Sequence, residues 1–269
     1  MKAAKSAKHK VDDTLTAIVD EILALDLAKA AVTVCLAAIV QDGGLPELQI
    51  VQMTDELADD FREVFEKKLG TIRKDREAGD MRLRSYSAGS KPDRNEIEFL
   101  DIAGYPHIKE QLQPLGSMAD LKTFQMDKEF VAGLRFYVIT IGVLNRSPLY
   151  CFRAYSPKKE LARSTKFAAM LAKGQFDKVR EPMFLFDHNL DALAYGDRIL
   201  VFNQDQFQKI FRFFELVVKT AEQTLRAIKQ VIPISNFADF EQACKGHLQK
   251  LTKLRNISLQ PYLGESGRR

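Results

Sequence analysis

Two pairs of apolar, β-branched segments constrain the fold most, because a short turn joins the members of each pair. Residues 31–40 and 48–53 flank Gly43-Gly44, and residues 134–143 and 149–155 flank the turn sequence at 145–148. β-Branched residues favour extended strands, and glycine, asparagine and proline favour tight turns. The sequence therefore predicts two β-hairpins, in which neighbouring strands run antiparallel.

Segments with a helical spacing of apolar residues separate the strands. In residues 207–228 a long apolar stripe predicts one continuous helix, which Pro233 stops. In residues 55–69 a second stripe follows Thr54, a good N-cap, and we expect Gly70 to end that helix. The remaining predicted elements are helices at 12–28, 164–173 and 240–254, strands at 97–102, 183–186 and 198–202, and an exposed loop at 71–95. Hairpins with helices between them indicate an α+β fold, in which a largely antiparallel sheet packs with long amphipathic helices.

The length of 269 residues suits one large domain or two small ones. Stretches at 73–95 and 106–128, rich in charges or in helix-breaking residues, are the weakest points of the predicted structure. We place the boundary after the second stretch, which gives an N-terminal α/β subdomain, residues 1–128, and a C-terminal subdomain, residues 129–269. The sequence ends in LGESGRR without a predicted closing element, as a fragment of a longer protein would.

The sequence predicts neither an export signal nor a membrane span. Four acidic residues between positions 12 and 21 separate the basic start from the apolar residues 22–40, and Asp26 and Lys29 interrupt that apolar run. A spanning helix needs about 20 mostly uncharged residues. Cys35, Cys151 and Cys244 are odd in number and widely spaced, which favours buried free thiols over a disulfide framework. We therefore expect a soluble, cytoplasmic protein.

Known catalytic motifs do not occur in the sequence. It contains neither a phosphate-binding loop of the GxxxxGK[ST] or GxGxxG type nor a GxSxG nucleophile elbow. No histidine lies beside a cysteine or one helical turn from another histidine, so no local pattern supports a cysteine–histidine pair. We therefore expect a protein that is not an enzyme and that uses neither a cofactor nor a metal.

Two acidic sequence patterns match metal-binding motifs only in part. Residues 66–68 (EKK) form the only Glu-x-Lys, but they lie on a predicted helix rather than on the strand that metal-dependent nucleases usually use. Residues 187–191 (DHNLD) begin like a calcium loop, but Ala192 and Arg198 stand where glycine and glutamate are needed. A polar turn between two strands is the favoured interpretation of the second pattern. A cryptic metal-dependent nuclease stays as an alternative.

One stretch of the chain is strongly basic. Residues 152–180 contain eight cations, interleaved with aromatic residues, and only two acids, Glu160 and Asp177. The eight cations are Arg153, Lys158, Lys159, Arg163, Lys166, Lys173, Lys178 and Arg180. Clustered cations attract the phosphates of nucleic acids, and a predicted helix N-terminus at residue 164 would add backbone donors. The pattern indicates a nucleic-acid surface, with an ordinary solvated face as the alternative. Residues 242–264 form a second basic stretch with no acid.

Residues 159–215 carry a resemblance to a known family. After the basic stretch come a PMFLFD segment at 182–187, a turn with Asp191, a strand that ends at Asn203, and a helix with Phe207 and Phe211. The hairpin at 136–156 and the helix at 55–69 fit the same pattern. These features resemble those of the KwaB-like family, whose members are the soluble component of the Kiwa anti-phage defence system.

The resemblance implies a role in defence against phage, with no established enzyme activity. It also implies DNA binding, a homodimer, and association with a small membrane protein, KwaA. A cytoplasmic chain of this kind would be recruited to the inner membrane by a KwaA-like partner.

The resembling segment contains the basic stretch, so we rank its cations as candidate contacts to DNA phosphates. Lys158, Lys159, Arg163 and Lys166 come first, and Lys173, Lys178 and Arg180 follow. A protein-interaction module that docks on a membrane partner and has no affinity for DNA is the alternative from another functional class.

Overall fold

The computed structural model describes residues 13–28, 30–40, 44–87, 92–93, 95–155, 168–172, 175–179, 184, 186–245 and 250. The helices are α1 (Asp13–Leu23), α2 (Asp55–Glu77), α3 (Pro106–Leu112), α4 (Lys128–Gly133), α5 (Gln204–Ile210), α6 (Phe213–Val231) and α7 (Phe237–Lys245). The strands are β1 (Ala31–Ala38), β2 (Glu47–Val51), β3 (Arg82–Ser85), β4 (Glu96–Asp101), β5 (Lys122–Thr123), β6 (Leu134–Gly142), β7 (Leu149–Ala154), β8 (Ala168–Ala172), β9 (Gln175–Val179), β10 (Ala192–Tyr195) and β11 (Arg198–Val201).

Nine of these strands form one sheet in the order β3-β4-β11-β10-β7-β6-β1-β2-β5. Its pairs are antiparallel except at the two edges, where β3 pairs with β4 and β2 with β5 in parallel. The expected α+β fold with a largely antiparallel sheet is therefore confirmed, and so are both hairpins, β1–β2 and β6–β7. The sheet combines strands from residues 1–128 and from residues 129–269. The division into two subdomains stays a prediction.

Both faces of the sheet are covered. Along β6, Tyr137, Ile139 and Ile141 belong to the core on one face, whereas Phe136 and Val138 belong to the core on the other. This alternation follows from the two-residue period of a strand that is buried on both sides. Apolar side chains of α1 and α2 complete the first core, and those of α3 and α5 complete the second.

Helix α2 is longer than the sequence predicted. It continues through Gly70 to Glu77, so the expected helix end at Gly70 is wrong, and the predicted loop at 71–95 contains the end of α2 and strand β3. A glycine inside a helix costs about 0.5–1 kcal/mol relative to alanine. Burial of Ile72 offsets that cost, and so do contacts with α1, where Arg76 lies 2.6 Å from Asp20 and Arg73 donates to the Leu23 carbonyl at 2.8 Å.

The single helix predicted over 207–228 is in fact two helices. The helix is interrupted between α5 and α6 at Arg212, which has a left-handed φ of 52°. The Arg212 Nη1 donates to the Gly44 carbonyl at 2.6 Å. The break lets Phe207, Phe211 and Phe213 all enter the core on the second face of the sheet. One straight helix could not direct all three side chains there, because Phe213 lies 200° around the helix axis from Phe211.

Two further local predictions fail. Residues 168–172 of the predicted helix form strand β8, which pairs antiparallel with β9 from Ala168↔Val179 to Ala172↔Gln175. Phe184 and Phe186, which we predicted in a strand, lie in irregular structure and are fixed by their aromatic side chains instead.

Candidate nucleic-acid interface

The candidate DNA-binding residues lie in and around the segment that joins β7 to β10. Within it, β8 and β9 form a two-stranded sheet with no pairing to the nine-stranded sheet among the described strands. Lys178 lies in β9, opposite Ala169 in the register. Lys158, Lys159, Arg163, Lys166, Lys173 and Arg180 lie outside the residues that the structure describes.

Arg153, near the end of β7, holds the two ends of this segment together. Its Nε and Nη2 donate to the two carboxylate oxygens of Asp187 at 2.9 and 2.7 Å, and its Nη1 donates to Oδ1 of Asp191 at 2.7 Å. Paired hydrogen bonds of this kind fix the plane of the guanidinium and the carboxylate. We call Arg153, Asp187 and Asp191 the Arg153 anchor.

Asp191 ties the anchor to three strands of the sheet. Its Oδ2 accepts a hydrogen bond from the Ala154 N–H at 2.8 Å. Its own carbonyl accepts from the N–H groups of Phe202 and Asn203 at 2.9 and 3.0 Å. Residues at the ends of β7 and β11 are thereby joined to the start of β10. The segment between β7 and β10, called the basic segment below, is therefore attached to the sheet through Asp191 at both of its ends.

The anchor sets one cation against two carboxylates in a place that water reaches only in part. The Asp191 side chain is 1% exposed and that of Arg153 is 16% exposed. Burial raises the pKa of Asp191 above its ordinary value, and the hydrogen bond from Ala154 and the charge of Arg153 oppose that effect. Hydrogen bonding to Asp187 raises the pKa of Arg153, so the guanidinium stays charged. Its hydrogen bonds go to the Asp187 and Asp191 carboxylates.

Aromatic contacts fix the returning end of the segment beside the anchor. The Phe186 ring lies 5.0 Å from that of Phe61 in α2 and 5.1 Å from that of Tyr137. Phe184 lies 5.8 Å from Phe124 and 6.1 Å from Tyr155 by the same measure. The sequence did not predict these aromatic contacts. Its only sign was the Phe-x-Phe-Asp spacing, which we interpreted as a strand.

The two metal-like patterns have other roles in the structure. Asp187 and Asp191 bind Arg153, and the Asp187 Oδ1 also accepts from the Asn189 N–H at 3.1 Å, as expected of a polar turn. Residues 66–68 lie on α2, so their helical position is confirmed. Within the described ranges, no three acidic, histidine or cysteine side chains form a cluster that could hold a metal ion.

The cysteines are free and buried, as the sequence predicted. Burial raises the pKa of Cys35 to about 12 and also raises that of Cys151. A thiol must lose its proton to act as a nucleophile. These two thiols are therefore poorly suited to nucleophilic chemistry.

Over the part of the chain that can be described, no helix combines the length and the apolar character that crossing a membrane requires. The longest is α2, with 23 residues, and charged side chains occupy much of it.

Comparison with known protein families gives a match to the second half of the chain. Neither a curated protein nor a solved structure matches the chain significantly. The family model described as "Kiwa protein KwaB-like" matches residues 132–265. This range includes β6 and β7, the Arg153 anchor, the whole basic segment and helices α5 to α7. The chain therefore belongs to the KwaB-like family through residues 132–265, and with that family it is a Kiwa anti-phage defence protein.

Proposed function

We propose that the protein binds duplex DNA through backbone phosphates and has little preference for base sequence. The excess of cations in residues 152–180, eight against two acids, is the observation that carries the proposal. Cations that neutralise phosphates release bound counterions, which gives affinity without reading the bases. The Arg153 anchor supports the proposal because it fixes both ends of the cationic segment to the sheet.

Seven of the eight cations are the proposed contacts. Arg153 already binds Asp187 and Asp191, so we assign it the task of positioning the others. Lys158, Lys159, Arg163 and Lys166 are the leading contacts, and Lys173, Lys178 and Arg180 add to them. A contact of this kind is worth most at low ionic strength, because added salt screens it.

A charge-reversal experiment tests the site. Lys158, Lys159 and Arg163 are changed together to glutamate, and binding to a short duplex is measured by mobility shift. We expect a strong loss of affinity, and the log–log salt slope should fall by about 0.9 for each lost contact. Reversal of three exposed lysines outside the segment, Lys109, Lys122 and Lys128, changes the net charge equally and is the matched control. Equal effects of the two triple variants would contradict the site.

A KwaA-like membrane protein is the proposed partner, and α2 offers it a surface. The first half of α2 exposes acidic side chains, among them Asp55, Glu56, Asp60 and Glu66, which suit a basic partner. Through this partner a cytoplasmic chain would reach the inner membrane. Changing Glu56, Asp60 and Glu66 to lysine should abolish co-purification with the partner and leave the fold intact. Co-purification of that variant at the wild-type level would contradict the docking surface.

The same partner defines the second candidate function, a docking module with no affinity for DNA. The acidic surface of α2 favours this candidate. Co-purification with the partner, together with no mobility shift of DNA at low salt, would establish it in place of DNA binding.

We also propose that the protein is not an enzyme and acts as a homodimer. Incubation with supercoiled plasmid and Mg²⁺ or Mn²⁺ should leave the plasmid intact, whereas nicking would favour the nuclease alternative. Light scattering should give twice the chain mass of 30.5 kDa.

A further inference from the structure

A polar pocket lies between α2 and the start of β4. Its volume is about 460 Å³, within the range of sites that hold small molecules. The polar side chains that line it are those of Lys68, Thr71, Asp75, Asn95 and Glu96, and Phe202 forms part of the wall. Most of these residues precede residue 132, so the family match does not cover them.

Lys68 is an unusual lysine because it lines this pocket and forms no ion pair with an acidic side chain among the described residues. Its Nζ lies 4.1 Å from the centroid of the Phe202 ring, and it forms no hydrogen bond or ion pair with the described residues. The next residue, Lys67, is ordinary by comparison: its side chain is 56% exposed and its Nζ lies 2.7 Å from Glu63. Two adjacent lysines of one helix therefore stand in opposite environments.

Burial makes the Lys68 amine easier to deprotonate than the amine of an exposed lysine. Burial lowers the pKa of Lys68 below its ordinary value, while the charges of Asp75 and Asp191 oppose the effect and the Phe202 face also attracts the ammonium form. Glu96 faces the same pocket, but Arg84 at 3.1 Å and the Asp93 N–H at 3.0 Å already hold its carboxylate. A lysine amine is nucleophilic only when it has lost its proton.

We propose that Lys68 is a reactive amine that condenses with a small, hydroxylated aldehyde bound in this pocket. The neutral nitrogen attacks the carbonyl carbon and a C=N bond replaces the C=O bond. The oxygen leaves as water with the two amine protons. The reaction therefore needs no oxidant or further reactant. The side chains of Thr71 and Asn95 offer hydrogen-bonding groups for the hydroxyls of such a ligand. The Thr71 hydroxyl donates to the Lys67 carbonyl at 3.1 Å, and its oxygen can still accept a hydrogen bond from the ligand.

Competition between the two neighbouring lysines tests the reactivity. The folded protein is treated at neutral pH with limiting glyceraldehyde and cyanoborohydride, which reduces the imine to a stable amine, and the modified lysines are located by mass spectrometry. We expect Lys68 to be labelled several-fold more than Lys67, and the preference to vanish in denaturant. Equal labelling of Lys67 and Lys68 in the folded protein would overturn the proposal.

Two further measurements test whether the pocket selects the ligand. Propanal has the same number of carbons as glyceraldehyde but no hydroxyls, so its preference for Lys68 should be weaker. Thr71→Val, which keeps the shape of the side chain, should reduce the preference for glyceraldehyde. An undiminished preference with propanal would overturn the assignment of a hydroxylated ligand. Lys68→Arg and Lys67→Arg, checked for folding by circular dichroism, identify which signal belongs to which lysine.

Discussion

Asp191 keeps a carboxylate almost out of contact with water, and Arg153 lies against it. Moving a charge into a protein interior costs several kcal/mol, and a partner with good hydrogen-bond geometry offsets the cost. Asp191 accepts one hydrogen bond from the Arg153 guanidinium and one from the Ala154 N–H, and these two bonds provide that geometry. Arg153 lies in the basic segment by sequence, but its contacts assign it to the support of the segment.

Replacing Arg153 should therefore destabilise the whole protein. Arg153→Met leaves the Asp191 carboxylate buried without its cation, and we expect a loss of about 3–5 kcal/mol in the free energy of unfolding. Urea denaturation measures it. Arg146→Met is the control, because the Arg146–Glu21 pair is largely exposed and exposed pairs contribute at most about 1 kcal/mol. Similar losses in the two variants would contradict the anchor.

The buried carboxylate also predicts a pH dependence. Burial raises the pKa of Asp191, so the folded state binds its proton more tightly than the unfolded state does. The contribution of this group to stability is therefore greatest at low pH and falls as pH rises through the folded pKa. The free energy of unfolding of the wild type minus that of Asp191→Asn should decrease between about pH 4 and pH 7. An increase over that range would show that Arg153 dominates instead.

At the scale of single elements, two glycines with open space around them should respond oppositely to alanine. Gly70 lies inside α2, and a Cβ there would meet nothing within 4 Å, so Gly70→Ala should stabilise by about 0.5–1 kcal/mol. Gly196 lies in the turn between β10 and β11 with a φ of 59°, so Gly196→Ala should destabilise by about 1 kcal/mol through backbone strain alone. Thermal unfolding of the two variants measures both signs. A lower melting temperature for Gly70→Ala would contradict the continuous helix.

The same elements show which features the sequence could predict. The hairpins were predictable because their strands and turns are local, and the stripe of α2 was predictable from its buried Phe61, Phe65 and Leu69. The continuation of α2 past Gly70 depends on contacts with α1, some 50 residues away in the chain. The break at Arg212 depends on the Gly44 carbonyl. Long-range contacts of this kind leave no periodic signal in the sequence.

The basic segment was predictable as a charge pattern but its attachment was not. The eight cations are visible in the composition of residues 152–180. The pairing of Arg153 with Asp187 and Asp191 joins positions 34 and 38 residues apart. Only the folded chain brings them together. The charge pattern alone therefore grouped Arg153, a supporting residue, with the proposed contacts.

At the scale of the whole molecule, the protein is a layered sheet-and-helix structure to which a cationic segment is attached. The nine-stranded sheet, covered on both faces, supplies rigidity, and the segment between β7 and β10 is fixed to it at both ends. The KwaB-like family places the molecule in Kiwa anti-phage defence. Binding to the phosphates of DNA is the activity that we propose for the segment within that system.

The salt dependence of DNA binding tests this central claim most directly. The affinity of the wild-type protein for one duplex is measured between about 50 and 200 mM salt. With seven phosphate contacts, we expect the affinity to fall by about 6,000-fold over that range, along a straight log–log line. An affinity that stays constant across the range, or no binding at the lowest salt concentration, would contradict the account.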